Sequence, residues 1–593
     1  MSRKTIENLR YYMNEAGVDA WMVNSADYHD SEYPGDYFKL RSYLSGFTGS
    51  AGTLVVTAEE AGLWTDGRYF VQAEKQLRGS GITLYRSGEK GVPTINEFLA
   101  EKLPENGCLG FDGKTVSQEA YMDLQKCLEK KHIRFSLMED LGNKVWIDRP
   151  ALSCSRIWLL DPEYSGMDTA EKLKRVRAAM KEKEAAVHIL TSLDDIAWLY
   201  NLRGSDVECN PVILSYAVIT EKEAILFVQD QAVEDSVRSA LTAQGIRICS
   251  YEDIYSYAET ISDQDTVLLD SKRVNCALYA RIPVGVSVVN DQNPETLFKA
   301  IKNPVEQENI RKAHIKDGAA VTKFICWLKK NIGKIPITEM SAAAYLDGKR
   351  AEQEGYLDRS FPTIAAYESN AAMCHYSATE ETDTELKPEG FFLVDSGGQY
   401  LEGTTDITRT IAVGPLTDKQ KLHFTLVLKG MIGLASCKFL YGCTGANLDV
   451  WARAPLWKYG LDFNHGTGHG VGYLLNVHEG PVRIHWNGKR GAQVVEPGIL
   501  TSDEPGLYLE GEYGIRTENL LICQEAETNE FGRFLEFETV TMAPIDKDAI
   551  DWSLMTAEEI EWLNQYHQKV YDTISPALNE EERNWLKEAC GRV

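Results

Sequence analysis

Two apolar strand–turn–strand segments carry carboxylates where an ordinary buried hairpin would carry none, and this constrains the fold more than any other feature. In FFLVDSGGQYLEGTTDITRTIAV (391–413) the run Phe391–Val394 ends at Asp395, Gly397 and Gly398 loosen the chain, and Thr405–Ile411 returns with Asp406 near its start. In ILTSDEPGLYLEGEYGIRTENLLI (499–522) Glu504 ends a strand at the Pro505–Gly506 turn, and Glu518 is expected inside the returning strand. The two-residue strand period puts Leu520, Ile522 and Arg516 on the face of Glu518. One Asp after a strand is usually a cap or turn residue, and a Glu–Arg pair alone reads equally well as a buried ion pair. Four carboxylates on two apolar hairpins are harder to explain that way, because burying them unpaired is costly without a cation.

Between the hairpins lies NHGTGHGVGYLLNVHEGP (464–481), whose glycines at 466, 468, 470 and 472 argue for a tight loop and against a helix. Four of the 11 histidines fall between 465 and 485. That clustering makes His469 a candidate ligand and His465 and His478 candidate substrate contacts. Asp395, Asp406, His469, Glu504 and Glu518 together form a hard, oxygen-rich donor set for two adjacent divalent ions, suited to Mn²⁺, Co²⁺ or Mg²⁺ and unlike a thiolate zinc site. Paired ions of this kind lower the pKa of water and activate it for hydrolysis.

The rest of the chain narrows the setting. At 593 residues it is too long for one core. A net charge of −26 argues against nucleic acid and anionic membranes, both of which reward Lys and Arg. No apolar run approaches the ~20 residues of a membrane span, and the N-terminus reads as an amphipathic helix leading to a buried strand, without a signal-peptide pattern. The 12 cysteines are scattered with no C-x-x-C, which implies reduced, mostly buried thiols and a cytoplasmic setting. Cys374, beside a candidate site residue, is read as packing.

Residues 1–150 and 151–300 follow one α/β plan twice: a helix and strand, a glycine-containing loop (SGFTGSAG, then LRGSDVECNP) and a hairpin. A long amphipathic helix starts near 303, with Asn303 as N-cap and Pro304 at its first position, and buries Ile310, Ala313, Ala320, Phe324 and Leu328. Residues 301–593 form the third domain, which holds all the carboxylate islands and ends in a helical, Trp-containing tail.

In this order the islands resemble the pita-bread metallopeptidases: methionine aminopeptidase, prolidase and aminopeptidase P. SGFTGSAGT, WTDGRYF, SLDDIAWLYNLRGSDVECNPV, SNAAMCHY and WLNQYH extend the likeness over nearly the whole chain, and it is greatest to the three-domain cytosolic aminopeptidase P type. The resemblance implies an α/β (α+β) chain with two creatinase-like N-terminal domains and a pita-bread catalytic domain. It implies removal of the first residue from peptides with proline second, by a hydroxide bridging two metal ions. Those ions are Mn²⁺ foremost, with Co²⁺ or Zn²⁺ as alternatives. Asp395 would hold one ion, His469 and Glu504 the other, and Asp406 and Glu518 both; Glu504 would also accept the proton. His478 would polarise the carbonyl or steady the tetrahedral intermediate, His375 and His465 would line the substrate pocket, and Arg516 would tie down the glutamate beside it. Relatives of this type form homodimers in which a first-domain loop approaches the partner's active site. Arg68 or a neighbour is the candidate for that contact, with a structural Arg as the alternative. The substrate fits this chemistry, because an Xaa–Pro bond has no N–H for a strand-binding protease to use, whereas a metal pair gripping the carbonyl and free amine does not need it. A prolidase, restricted to dipeptides, would share every ligand. A peptide-binding relative without activity would have lost some of them.

Overall fold

The computed structural model describes residues 2–137 and 140–593. The chain divides into two compact units, one of residues 1–160 and 167–295, the other of 161–166 and 296–593.

The first unit contains two six-stranded sheets built on one plan. In the first sheet, Ala20–Asn24 pairs antiparallel with Thr53–Thr57, which pairs antiparallel with Ala61–Thr65; parallel strands flank this set on both sides. The second repeats the order and directions around Val187–Leu190, Ser215–Thr220 and Ala224–Val228. Each central strand is mostly apolar and buried on both faces, as a sheet covered by helices requires, with His188 the buried polar residue of the second. The amphipathic helix Ser2–Glu15 buries Ile6, Leu9 and Met13 against the first sheet. His29, fully buried, joins the halves: its Nδ1 lies 2.8 Å from Thr191 O and its Nε2 2.6 Å from the Tyr251 hydroxyl. Arg68 sits in an exposed loop, with Nε and Nη2 each donating to Asp66 at 2.8 Å.

The second unit opens with the helix Pro304–Asn331. Asn303 accepts from Val305 and Glu306 N–H, and the Glu306 carboxylate accepts from Asn303 N–H, a reciprocal cap. Ile310, Ala313, Ala320, Phe324 and Leu328 are all buried. Two of its antiparallel sheets bear on the carboxylate hairpins. One orders Ile364–Tyr367, Phe391–Ser396 and Ile407–Ala412; the other runs Phe439–Leu440, Gly532–Thr539, Asn519–Asn529, Leu500–Asp503, Gly468–Gly470 and Glu479–Ile484. The tail helices Ala557–Ile574 and Glu580–Ala589 put Leu563, Val570, Ile574 and Leu586 into the core with the helix Asp418–Ala435, so the tail is part of the fold. All 12 cysteines are free thiols.

The second carboxylate hairpin differs from expectation. Glu518 is not inside a strand: Leu500–Asp503 pairs with the strand starting at Asn519, the ladder stops, and a second ladder joins Gly506–Leu509 to Tyr513–Arg516. Pro505 has no N–H to continue the pairing. Glu504 and Glu518 therefore lie at the same level, in the break between the two ladders. The first hairpin breaks similarly, leaving Asp406 between Gly403–Thr404 and Ile407–Ala412. There Gly397 packs so closely that a Cβ would stand 2.0 Å from Thr405 O, so only glycine fits.

Candidate metal centre

The two broken hairpins and the glycine loop meet in one place. Glu518 N–H donates to Thr408 O (3.1 Å), and Arg516 N–H to Thr410 Oγ1 (3.0 Å), which sews the hairpins together. Glu504 N–H donates to Thr467 O (2.8 Å), bringing the loop alongside. Gly468 must be glycine for this approach, since a Cβ would lie 2.0 Å from Ser502 O. His469 Nε2 then stands 3.5 Å from Asp406 Oδ2 and 3.4 Å from Glu504 Oε1. Ligand atoms of Asp406, His469 and Glu518 all lie within 4.8 Å of one another.

The electrostatics fit cations. His469 Nδ1 is 2.9 Å from Gly470 O and so donates there, which turns the Nε2 lone pair toward the carboxylates. A lone pair facing carboxylate oxygens calls for a positive charge between them. Asp395 Oδ1 and Glu518 Oε1 are buried without a hydrogen-bond partner among the described residues. Burial, reinforced by Glu518, Asp395 and Glu504, pushes the Asp406 carboxyl far above the ordinary range. Burial and then Glu518 do the same to Glu504, while burial and then Asp395 raise Glu518 to about 8. Without a cation these groups hold protons, and divalent ions would displace them.

Arg516 differs from its expected partner. Its Nη2 donates to Asp395 Oδ2 (2.5 Å), not to the neighbouring glutamate. It reaches Glu518 only through Thr408, whose Oγ1 accepts from Arg516 Nε (3.2 Å) and donates to Glu518 Oε2 (2.6 Å). The remaining Arg516 nitrogen donates to the Tyr508 hydroxyl (2.7 Å), which lies 2.9 Å from His465 Nε2. His465 Nδ1 faces Gly466 O at 2.7 Å, so the ring is the neutral Nδ1–H tautomer; burial, then Arg516, push its pKa down to about 3. His478 stands edge-on to His469 with ring centroids 4.4 Å apart. His375 is half-buried and near enough to His465 to oppose its protonation. The structure thus gathers every sequence-predicted site residue except Arg68, which lies in the other unit. It adds Thr408, Tyr508 and Ser502, the last donating to Glu504 Oε1 (3.1 Å) while accepting from His469 N–H (2.9 Å). A hydroxyl in a strand has no sequence signature of such a role.

Comparison with known proteins places the chain in a family. Residues 5–141 and 148–306 each match the Creatinase/Prolidase N-terminal domain, 308–525 match Metallopeptidase family M24, and 533–593 match the C-terminal region of peptidase M24. The chain is 38% identical to aminopeptidase P1 of Arabidopsis thaliana, over 97% of each protein. The chain belongs to the aminopeptidase P family. It is 36% identical to Xaa-Pro aminopeptidase 1 of Dictyostelium discoideum, over 98% of this chain and 95% of the other. The crystal structure of X-prolyl aminopeptidase from Caenorhabditis elegans, described as a cytosolic enzyme with a di-nuclear active site, superposes with a TM-score of 0.95 at 35% identity over the whole of both chains. The two creatinase-like N-terminal sheets followed by a pita-bread catalytic domain are the architecture of this aminopeptidase P family member.

Proposed function

We propose that this protein is a metal-dependent aminopeptidase that hydrolyses the first peptide bond of peptides with proline second. The observation that carries this reading is the convergence of four buried or half-buried carboxylates and the His469 lone pair on one space. Asp395, Asp406, His469, Glu504 and Glu518 would hold two divalent ions, with Asp406 and Glu518 shared between them. Hard oxygen donors favour Mn²⁺, with Co²⁺ or Zn²⁺ as alternatives. When bound, such a pair supplies Lewis acidity and a water made nucleophilic near neutral pH. Glu504, beside the ions, would take the proton from the attacking water. His478, beside His469, donates toward the scissile carbonyl. His375 and the neutral His465 line the pocket for the substrate, and Arg516 holds Asp395 in place.

The domain division 1–150, 151–300 and 301–593 is part of this reading, as are a cytosolic location and a homodimer. Among the described residues no helix is long and apolar enough to cross a membrane. Trp451, Trp457 and Trp486 are 49%, 46% and 57% exposed, and Trp451 is the side chain chosen to test contact with a second copy of the chain. Light scattering of the wild type is expected to give a dimer mass and Trp451→Glu a lower one; a wild-type monomer would refute self-association. The function is tested by Mn²⁺-dependent release of the first residue from an Xaa–Pro–Xaa tripeptide, beside the matched Xaa–Pro dipeptide and a chelator control. Chelator-sensitive cleavage of the tripeptide with little from the dipeptide is expected. Cleavage of the dipeptide alone would make the protein a prolidase, and turnover of neither would leave a binding protein.

A further inference from the structure

One residue beyond His478, two buried lysines converge on Glu479. Lys302 Nζ is bonded to Glu479 Oε1, Lys299 Nζ lies 3.8 Å from Glu479 Oε2, and all three side chains are 1–2% exposed. The backbone beneath Lys302 is fixed as firmly: its N–H donates to Gly498 O (2.9 Å), its carbonyl accepts from Gln307 Nε2 (2.8 Å), and Ile301 bridges to Ile499. On the other side, Glu479 opens the strand Glu479–Ile484 and pairs in register with Gly470, one residue past His469. Between these two strands, residues 471–478 have no ladder of their own. Gln399 and Thr404 hold that irregular stretch at Leu475, and what pins Glu479 fixes its far end, where His478 stands.

A buried ion pair is a poor device for stability alone, since apolar side chains of similar volume often serve as well. It does fix direction, and groups just outside a metal or catalytic shell that orient its members cost activity when they are replaced. We infer that Lys302 is a positioning residue for the proposed peptidase reaction: through Glu479 it sets where His478 stands beside His469. The segment that enters the catalytic unit thus reaches the active centre through Glu479. This assignment rests on the peptidase reading, and its test separates the two.

Lys302→Met, Lys302→Arg and, as a control for general destabilisation, Lys172→Met are to be compared with wild type for kcat, KM, bound metal by mass spectrometry and Tm. Lys172 is equally buried in the first unit, bonded to Trp198 O and Asn201 Oδ1. Wild-type turnover of the tripeptide establishes the peptidase; its absence sinks that reading before the lysine is considered. With an active wild type, Lys302→Met is expected to lose about ten- to a hundredfold in kcat, with KM and metal content close to wild type. Lys302→Arg should recover part of the loss, Lys172→Met should lower Tm without lowering kcat, and the His478 ring should be displaced in a crystal structure of Lys302→Met. A kcat for Lys302→Met within about twofold of wild type, or a loss that follows metal content, or an equal loss in Lys172→Met, overturns the proposal. If Lys302→Met does not fold, Glu479→Gln, which keeps the shape of the side chain, is read by the same criteria.

Discussion

At Glu518, burial and the charge of Asp395 raise the carboxyl from 4.5 to about 8. In the metal-free protein the native state then binds a proton that the unfolded chain has lost between about pH 4.5 and 8, so stability falls as pH rises through that window. Chelated protein is expected to show a Tm that drops from pH 5 to pH 8, while the Mn²⁺-loaded protein stays nearly flat because the ions have displaced those protons. A chelated Tm that rises over the same range would contradict the buried carboxylate cluster. Asp406→Asn is expected to lose bound metal and tripeptide turnover together, read by mass spectrometry and assay on one sample. The clustering of these proposed ligands was legible in the sequence because each is a carboxylate or imidazole among apolar or glycine neighbours. Thr408 was not, since its role comes from a bond to Glu518, 110 residues away, that no local pattern encodes. The partner of Arg516 escapes the sequence for a related reason: the strand ends at Arg516, so its two-residue period does not carry to Glu518, and Asp395 on the other hairpin takes the guanidinium.

Among the elements, apolar runs broken by turn residues predicted both hairpins, helical spacing with the Asn303–Pro304 start predicted the capped helix, and the duplicated α/β plan was visible as a repeated order of helix, strand and hairpin. What the pattern could not show was that both site hairpins stop pairing midway and restart. Pro505 and Gly397 are the local causes, and they work through hydrogen-bond loss and close approach, to which apolar periodicity is blind. Gly397→Ala should therefore destabilise the second unit by about 1–3 kcal/mol, the usual cost of overpacking, and weaken metal binding. Gly348 offers the opposite case: it is exposed in the helix Glu339–Ala351, and a Cβ there meets nothing within 4 Å. Gly348→Ala is expected to stabilise by about 0.5–1 kcal/mol. Urea midpoints of the two variants moving in the same direction would refute the packing argument.

For the whole molecule, the division into two compact units has a thermodynamic consequence. Each unit has its own buried clusters: Ile6, Trp21, Leu54 and their neighbours in the first, Phe424, Met431, Ile515 and theirs in the second. All five proposed ligands fall in the second. A ligand that binds only the native state stabilises the unit that holds it, by about 2.7 kcal/mol at a hundred times its Kd. Calorimetry is accordingly expected to resolve two transitions, of which Mn²⁺ raises one and a chelator lowers the same one, leaving the other in place. Asp406→Asn should abolish that metal-dependent shift, and Lys172→Met, in the first unit, should move only the metal-insensitive transition. A single transition shifted as a whole by metal would mean that the two units melt cooperatively and that the first is stabilised by what the second binds.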